Sequence, residues 1–338
     1  MKGRIALMLL VGLSACCGRK SLEDLSVEVL SSEFIYETAS FPSCHASTVL
    51  ETENGLLVAW FGGSYESHPD VSIYCSSWDG TTWSTPTLAA DGVISDSQRF
   101  PCWNPVLFRL ESGAIALFYK VGPNPREWWG EYKISADEGQ TWGRSGSLPK
   151  GKLGPIKNKP VAVPGGRILY PTSVEYTPDN WKVFIESSMD DLSGWETTKI
   201  DNNGFNAIQP TLFLHKHNLE MLCRTQEGVL ARAVSRDYGR SWSPLERTAI
   251  ENNNSGVDGI VLNDGLRLLV CNPIREGRNK LVLLGSYNGT DWQTLYTLEE
   301  HAEGEYSYPA IISRTDGTID ITYTYRRERI RHVRLRIR

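Results

Sequence analysis

The feature that most constrains this chain is that it repeats itself. "SADEGQTW" at 135–142 returns as "SRDYGRSW" at 235–242, with Ser, Asp, Gly and Trp in the same places. Two looser copies, "SSWDGTTW" ending at Trp83 and "SYNGTDW" ending at Trp292, and a degraded one, "SMDDLSGW" ending at Trp195, bring these turns to five. The physics of the turn is local. An Asp carboxylate accepts backbone N–H bonds, the glycine takes a left-handed conformation, and the indole packs between sheets.

Between the turns lie six segments of a second kind, each a polar lead-in, a short apolar run, a turn near Gly or Asn, and another apolar run. They are "HASTVLETENGLLVAWF" from His45, "NPVLFRLESGAIALFYK" from Asn104 and "NKPVAVPGGRILYPTS" from Asn158. "QPTLFLHKHNLEMLCR" from Gln209, "DGIVLNDGLRLLVCN" from Asp258 and "YPAIISRTDGTIDITYTY" from Tyr308 complete the set. Such runs read as β-hairpins. Hairpin, strand, Trp-turn and strand make a four-stranded unit of about fifty residues, the size of a propeller blade. Six hairpins with five Trp-turns leave one turn missing, and the chain ends explain it. "VEVLSSEFIY" from Val27 is expected to lie beside the C-terminal "RIRHVRLRIR" and finish the last blade. The expectation is therefore all-β: one six-bladed β-propeller of four-stranded antiparallel blades over residues 27–338, closed by the N- and C-terminal strands, which hides sheet edges.

Ahead of it, "MKGRIALMLLVGLSACC" has a basic start, a short apolar stretch and a small-residue end, a leader too short to span a bilayer. Leu13-Ser14-Ala15-Cys16 resembles a bacterial lipobox. That implies removal of residues 1–15, lipidation of Cys16, and a tether over 16–26 holding the protein at the cell envelope. Five further cysteines, Cys44, Cys75, Cys102, Cys223 and Cys271, have no metal-type spacing, and a Cys44–Cys102 pairing is left open. No phosphate-binding glycine loop occurs, so neither a metal nor another cofactor is expected. His215 and His217 flank a hairpin turn, where exposure is the ordinary outcome. A net charge of −5 gives no field for nucleic acid. The alternating Arg334, Arg336 and Arg338 read as the solvated face of a strand.

The S-x-D-x-G-x-T-W turn is similar to the Asp-box of the sialidase superfamily. "PCWNPVLF", "FYKVGPNPREWWG", "GPIKNKP" and "GEYSYPA" further resemble a bacterial group of BNR-repeat, predicted-neuraminidase proteins. In such a propeller the lead-ins to the inner strands face a central funnel, here supplying His45, Trp103, Asn104, Asn158, Lys159, Gln209, Asp258, Tyr306 and Tyr308. Exits of the second strands add Glu66, Asp70, the stretch from Lys120 to Trp129, Glu175, Arg224, Arg275, Arg278 and Arg326. The resemblance implies three arginines on a substrate carboxylate, a tyrosine nucleophile with a glutamate as its base, and an aspartate acid/base. Arg matches a carboxylate bidentately, and tyrosine spares an anionic sugar an anionic nucleophile. Carried over, Arg224 falls at the second arginine and Arg278, with Arg275 its rival, at the third. Tyr308 or Tyr306 falls at the nucleophile, and Asp70 near the acid/base. Two positions depart: His45 stands in place of the first arginine, and Gln209, which cannot accept a proton, in place of the glutamate. Trp128 and Trp129 are expected to stack on sugar.

Three functions follow. The first is a secreted, sialidase-like glycoside hydrolase acting on the terminal residue of an acidic glycan. The second is a polysaccharide lyase, or a rhamnose–uronate-cleaving propeller, working with His45 and a tyrosine. The third is a propeller that binds glycans without chemistry. All three take a glycan as partner and meet a membrane only through the lipid anchor.

Overall fold

The computed structural model describes residues 21–338, so the leader and Cys16 lie outside the described residues. Six four-stranded antiparallel sheets follow one another around an axis, as the repeat demands. The innermost strands are Ser43–Thr52, Cys102–Arg109, Val161–Val163, Ala207–His215, Asp258–Val261 and Tyr306–Ser313, defining blades one to six. In the last blade the outermost strand, Val27–Phe34, comes from the other end of the chain and pairs with Arg329–Ile337 from Val27↔Ile337 to Phe34↔Arg331. One feature the sequence did not announce is a small hairpin, Val93–Ser95 with Gln98–Arg99, inserted between blades one and two.

The repeated turn sits between the third and fourth strands of blades one to five. In both close copies a serine and an aspartate build the same cage. Ser135 Oγ donates to Asp137 at 2.7 Å and receives the Gly139 N–H at 2.9 Å, while the Thr141 N–H reaches Asp137 at 2.9 Å. Ser235, Asp237, Gly239 and Ser241 reproduce those distances. Gly139 (φ 85°) and Gly239 (φ 78°) are required twice over: the backbone is left-handed, and a Cβ would lie 2.4 Å from Leu57 or 2.6 Å from Leu169 of the preceding blade.

That close approach seats the tryptophans. Buried apolar residues form six clusters, one at each blade–blade interface. Trp142, Trp195, Trp242, Trp292 and Trp83 each pack against a different one. The sixth cluster, between blades five and six, has no tryptophan because its turn is where the ring is cut. Leu22 and Leu25 pack there instead. The last residues of the expected tether are thus already fixed to the propeller, and Ser26 exchanges backbone hydrogen bonds of 2.9 Å with Arg338. Cys44, Cys75, Cys102, Cys223 and Cys271 are buried and free, so Cys44 and Cys102 do not pair.

Candidate active site

Four inner strands open with the same irregularity. Their ladders slip between His45 and Thr48, Trp103 and Val106, Ile208 and Thr211, and Ser307 and Ala310. Within each slip one residue has positive φ: Ala46 at 58°, Asn104 at 39°, Gln209 at 53° and Tyr308 at 51°. None is glycine, so each carries backbone strain that the surrounding sheet must hold. A bulge re-aims side chains. Repeated around the axis at the same end of the inner strands, it turns polar side chains into the funnel.

Tyr308 is at the centre of this ring. Its phenol oxygen accepts a hydrogen bond from Arg224 Nη1 at 2.6 Å and another from Gln209 Nε2 at 3.3 Å. Arg224 Nη1 also donates to Gln209 Oε1 at 3.1 Å, and Arg224 Nε to Asn254 Oδ1 at 2.8 Å. Among the described residues no carboxylate is hydrogen-bonded to this hydroxyl. The His45 ring lies 4.1 Å from the Tyr308 ring, centre to centre. The guanidinium carbons of Arg224 and Arg278 stand 5.7 and 5.6 Å from that ring, and Lys157 Nζ 5.8 Å.

Positive charge dominates. Burial holds His45 well below the ordinary histidine value, helped by Arg327, Arg278, Arg224 and Lys157, so the ring is neutral. Its Nδ1 is buried without a partner. Burial also lowers Lys157, to about 7. Its ammonium nevertheless has three acceptors, Asn158 Oδ1 at 2.8 Å, Val257 O at 3.0 Å and Pro309 O at 2.5 Å, which suit its three donors and tie blades three, five and six together. Glu305 and Glu66 balance part of this charge. Glu305 receives Arg278 Nη1 at 2.9 Å and Arg327 Nε at 3.0 Å, and Arg327 also reaches Glu66. Glu175 is raised by burial, against the pull of Arg224 and Arg126.

Residues 54–321 match the model of the BNR repeat-like domain family. The chain belongs to that family. Its fold is similar to a variant of the NanB sialidase of Streptococcus pneumoniae at 14% identity and TM-score 0.72, covering 89% of this chain and 70% of that one. It is also similar to a protein of unknown function from Dyadobacter fermentans at 15% identity and TM-score 0.73, covering 93% and 100% of the two chains. The intramolecular trans-sialidase of Ruminococcus gnavus aligns at 15% identity and TM-score 0.69, over 91% of this chain and 98% of its own. None of the curated proteins compared matches. These likenesses establish a six-bladed sialidase-type propeller; the chemistry rests on the funnel of this BNR-repeat protein itself.

Several side chains singled out in the sequence converge there: Tyr308, His45, Arg224, Arg278 and Gln209. Others are placed differently. Tyr306 is fully buried in the core between blades five and six, and its backbone carbonyl receives Asn272 Nδ2, so Tyr308 is the tyrosine that faces the funnel. Arg275 is 78% exposed and paired with Glu251, which decides the rivalry for Arg278. Lys159 and Asp258 meet at 2.6 Å, and Asp258 also receives Thr211 Oγ1 and the Ile311 N–H, so the two stitch blades three to six rather than line the funnel. Trp129 packs edge-on against Phe100 and donates to Glu131, and Trp128 lies edge-on to Trp103. Both rings are partly buried in the wall. Asn104 is buried.

Asp70 sits in the loop after the second strand of blade one, its side chain 41% exposed. Burial pushes its carboxyl up, but the Ser64 hydroxyl and N–H that donate to it, with His68 2.7 Å away, together outweigh burial and hold it below the usual range. The sequence reading missed Glu305 and Arg327, and put Arg326 in the place that Arg327 takes. Its usable signal was the Arg-Arg pair at a tight turn, which announces two basic side chains but not which one turns inward. A separate surface cavity of about 460 Å³ lies at the opposite ends of the strands, lined by His217, Glu220, Arg232 and Arg267. There the nearly buried Glu220 is held by both arginines, a structural pairing between blades four and five.

Proposed function

We propose that the protein cleaves the terminal residue of an acidic glycan, with Tyr308 as the reacting group and Arg224 and Arg278 holding the sugar's carboxylate. The observation that carries this reading is the cation-ringed Tyr308 on the funnel floor, hydrogen-bonded by Arg224 at 2.6 Å. In the hydrolytic route Tyr308 Oη attacks the anomeric carbon as Asp70 gives a proton to the departing oxygen. Water then displaces the tyrosine. Gln209 cannot take the tyrosine's proton, and the neutral His45, its ring tilted at 46° to the Tyr308 ring, is the base at hand. Asp70 starts as a carboxylate; an anionic sugar closing over it raises its proton affinity through desolvation and like charge.

The His45–Tyr308 pair, with no carboxylate on the phenol, supports a second route on the same ligand class. A base removes the proton next to a uronate carboxylate neutralised by arginine, and the glycosidic oxygen leaves as the ring becomes unsaturated. Incubation with a panel of sialylated glycans and of glycans carrying a uronate substituted at its C4 oxygen separates the routes. Hydrolysis adds the mass of water to the products, whereas elimination adds none and creates an ultraviolet-absorbing sugar. Binding without product from any substrate would leave only a glycan-binding role.

A further inference from the structure

We propose that Arg327 is the third guanidinium of the anion-binding set in this funnel, standing in for the arginine whose strand position is occupied by His45. The assignment rests on the acidic-glycan reading above and names a residue that reading does not use. Arg327 lies in the turn joining Ile319–Tyr325 to Arg329–Ile337 of blade six, on the same end of the propeller as Arg278. Arg326 and Arg327 are consecutive non-glycine residues with φ of 54° and 59°, an uncommon backbone that needs an anchor. The anchor is the start of blade one: the Cys44 N–H donates to Arg327 O at 2.8 Å, one residue before His45. So the turn of blade six is pinned against the strand that carries the histidine. Arg326 remains exposed while Arg327 turns inward.

The guanidinium is then held in plane. Its Nε donates to both Glu305 oxygens at 3.1 and 3.0 Å, and its Nη1 reaches Glu66. Glu305 accepts Arg278 Nη1 at 2.9 Å as well, so one carboxylate sets the spacing of two arginines. Arg278 in turn lies 5.6 Å from the Tyr308 ring, which Arg224 approaches to 5.7 Å from elsewhere. Each of the three guanidiniums has one edge fixed by protein acceptors, and in each the Nη2 group has no protein partner among the described residues. A guanidinium fixed on one edge and free on another suits a planar anion, because its orientation is set before the ligand arrives. Glu305 and Glu66 orient this arrangement without neutralising all of it.

The test uses the full chain and two probes, N-acetylneuraminic acid and D-glucuronic acid, each against its methyl ester, with binding measured by calorimetry and folding by thermal melting. In the unmodified protein each acid is expected to bind more tightly than its ester. Arg327→Gln should cut that acid-over-ester preference about tenfold or more while ester binding is unchanged. Arg224→Gln should do the same, and Arg326→Gln should not. Because Arg327→Gln strands two carboxylates, Arg327→Gln with Glu66→Gln is the second variant, and Arg327→Lys, which keeps charge but not the planar fork, should recover part of the preference. A preference lost in Arg224→Gln but kept in folded Arg327→Gln overturns the assignment and leaves the acidic-glycan reading standing. Equal loss of acid and ester binding makes Arg327 a structural brace and overturns it too. No preference for either acid in the unmodified chain overturns both.

Discussion

His45 and His332 are both sealed inside the protein, at 1% and 0% exposure, yet their surroundings drive them in opposite directions. Around His45, burial and the charges of Arg327, Arg278, Arg224 and Lys157 act together and keep the ring neutral. Around His332, burial again opposes charge, but Asp320 and Glu33 outweigh it and raise the ring above the ordinary value. Nε2 of His332 lies 2.7 Å from Asp320 Oδ1, with Arg334 at 3.4 Å and Arg314 at 4.0 Å from the same carboxylate. Burial alone therefore says little about what a histidine does. The sign of its neighbours decides. One ring sits among cations beside the funnel tyrosine. The other joins the C-terminal strand to Glu33 on the N-terminal strand and helps close the ring of blades.

The comparison predicts that damage at the two sites separates activity from stability. Tyr308→Phe should reduce product formation from an acidic glycan at least about a hundredfold, because the group that attacks or moves a proton is gone. The ring remains, so urea unfolding should shift by under about 1 kcal/mol. Full turnover in this variant would remove Tyr308 from the chemistry. Asp320→Asn should do the reverse. Removing one partner of a buried pair costs about 3–5 kcal/mol, seen in the urea midpoint, while turnover per folded molecule is kept. Unchanged stability together with lost turnover would erase the distinction between seam and funnel.

Much of this was legible because repetition multiplies weak signals. One Ser-Asp-Gly-Trp turn is unremarkable; five, interleaved with six hairpins, specify a blade, and the missing turn locates the seam. What the sequence hid depends on backbone irregularity and on contacts across blades. Nothing in "CWNP" or "IQPT" shows that Asn104 and Gln209 take positive φ, since neither is glycine. Lys159 and Asp258 are 99 residues apart and both look like rim ligands until they are seen bonded to each other. Arg334 has the alternation of a solvated strand face, but its guanidinium lies 4.5 Å from the Trp78 ring and beside Asp320. Leu22 and Leu25 read as tether because the vacancy they fill belongs to a turn that does not exist.

The pH dependence of the seam is a finer probe. His332 has a folded-state value above its unfolded one, so its contribution is complete below about pH 6.5 and is lost as pH rises through the raised value. Glu33 is lowered, chiefly by His332 3.7 Å away acting against burial, so its contribution is present above the ordinary carboxylate range and lost as pH falls through the lowered value. The seam is thus firmest in mildly acidic solution. Melting temperature should fall as pH rises from about 6.5, and His332→Gln should flatten that fall. A slope unchanged in the variant would assign the effect to another group.

The smallest expected effect is the sharpest test of the funnel's boundary. Arg275 and Arg278 are three residues apart in one loop, and both pair with a glutamate. Arg275 and Glu251 are 78% and 44% exposed, so water and salt screen their attraction and two long side chains lose freedom to hold it. Arg275→Gln should change stability by no more than about 0.5 kcal/mol and leave acidic-glycan cleavage untouched. Arg278 is 24% exposed, shares Glu305 with Arg327 and faces the Tyr308 ring. Its change to Gln should raise KM for an acidic substrate severalfold at the least, since one charge-assisted contact is worth about 1.5–3 kcal/mol. If Arg275→Gln proved the more damaging of the two, the anion site would have to lie on the outer rim, and Tyr308 could not be its reacting group.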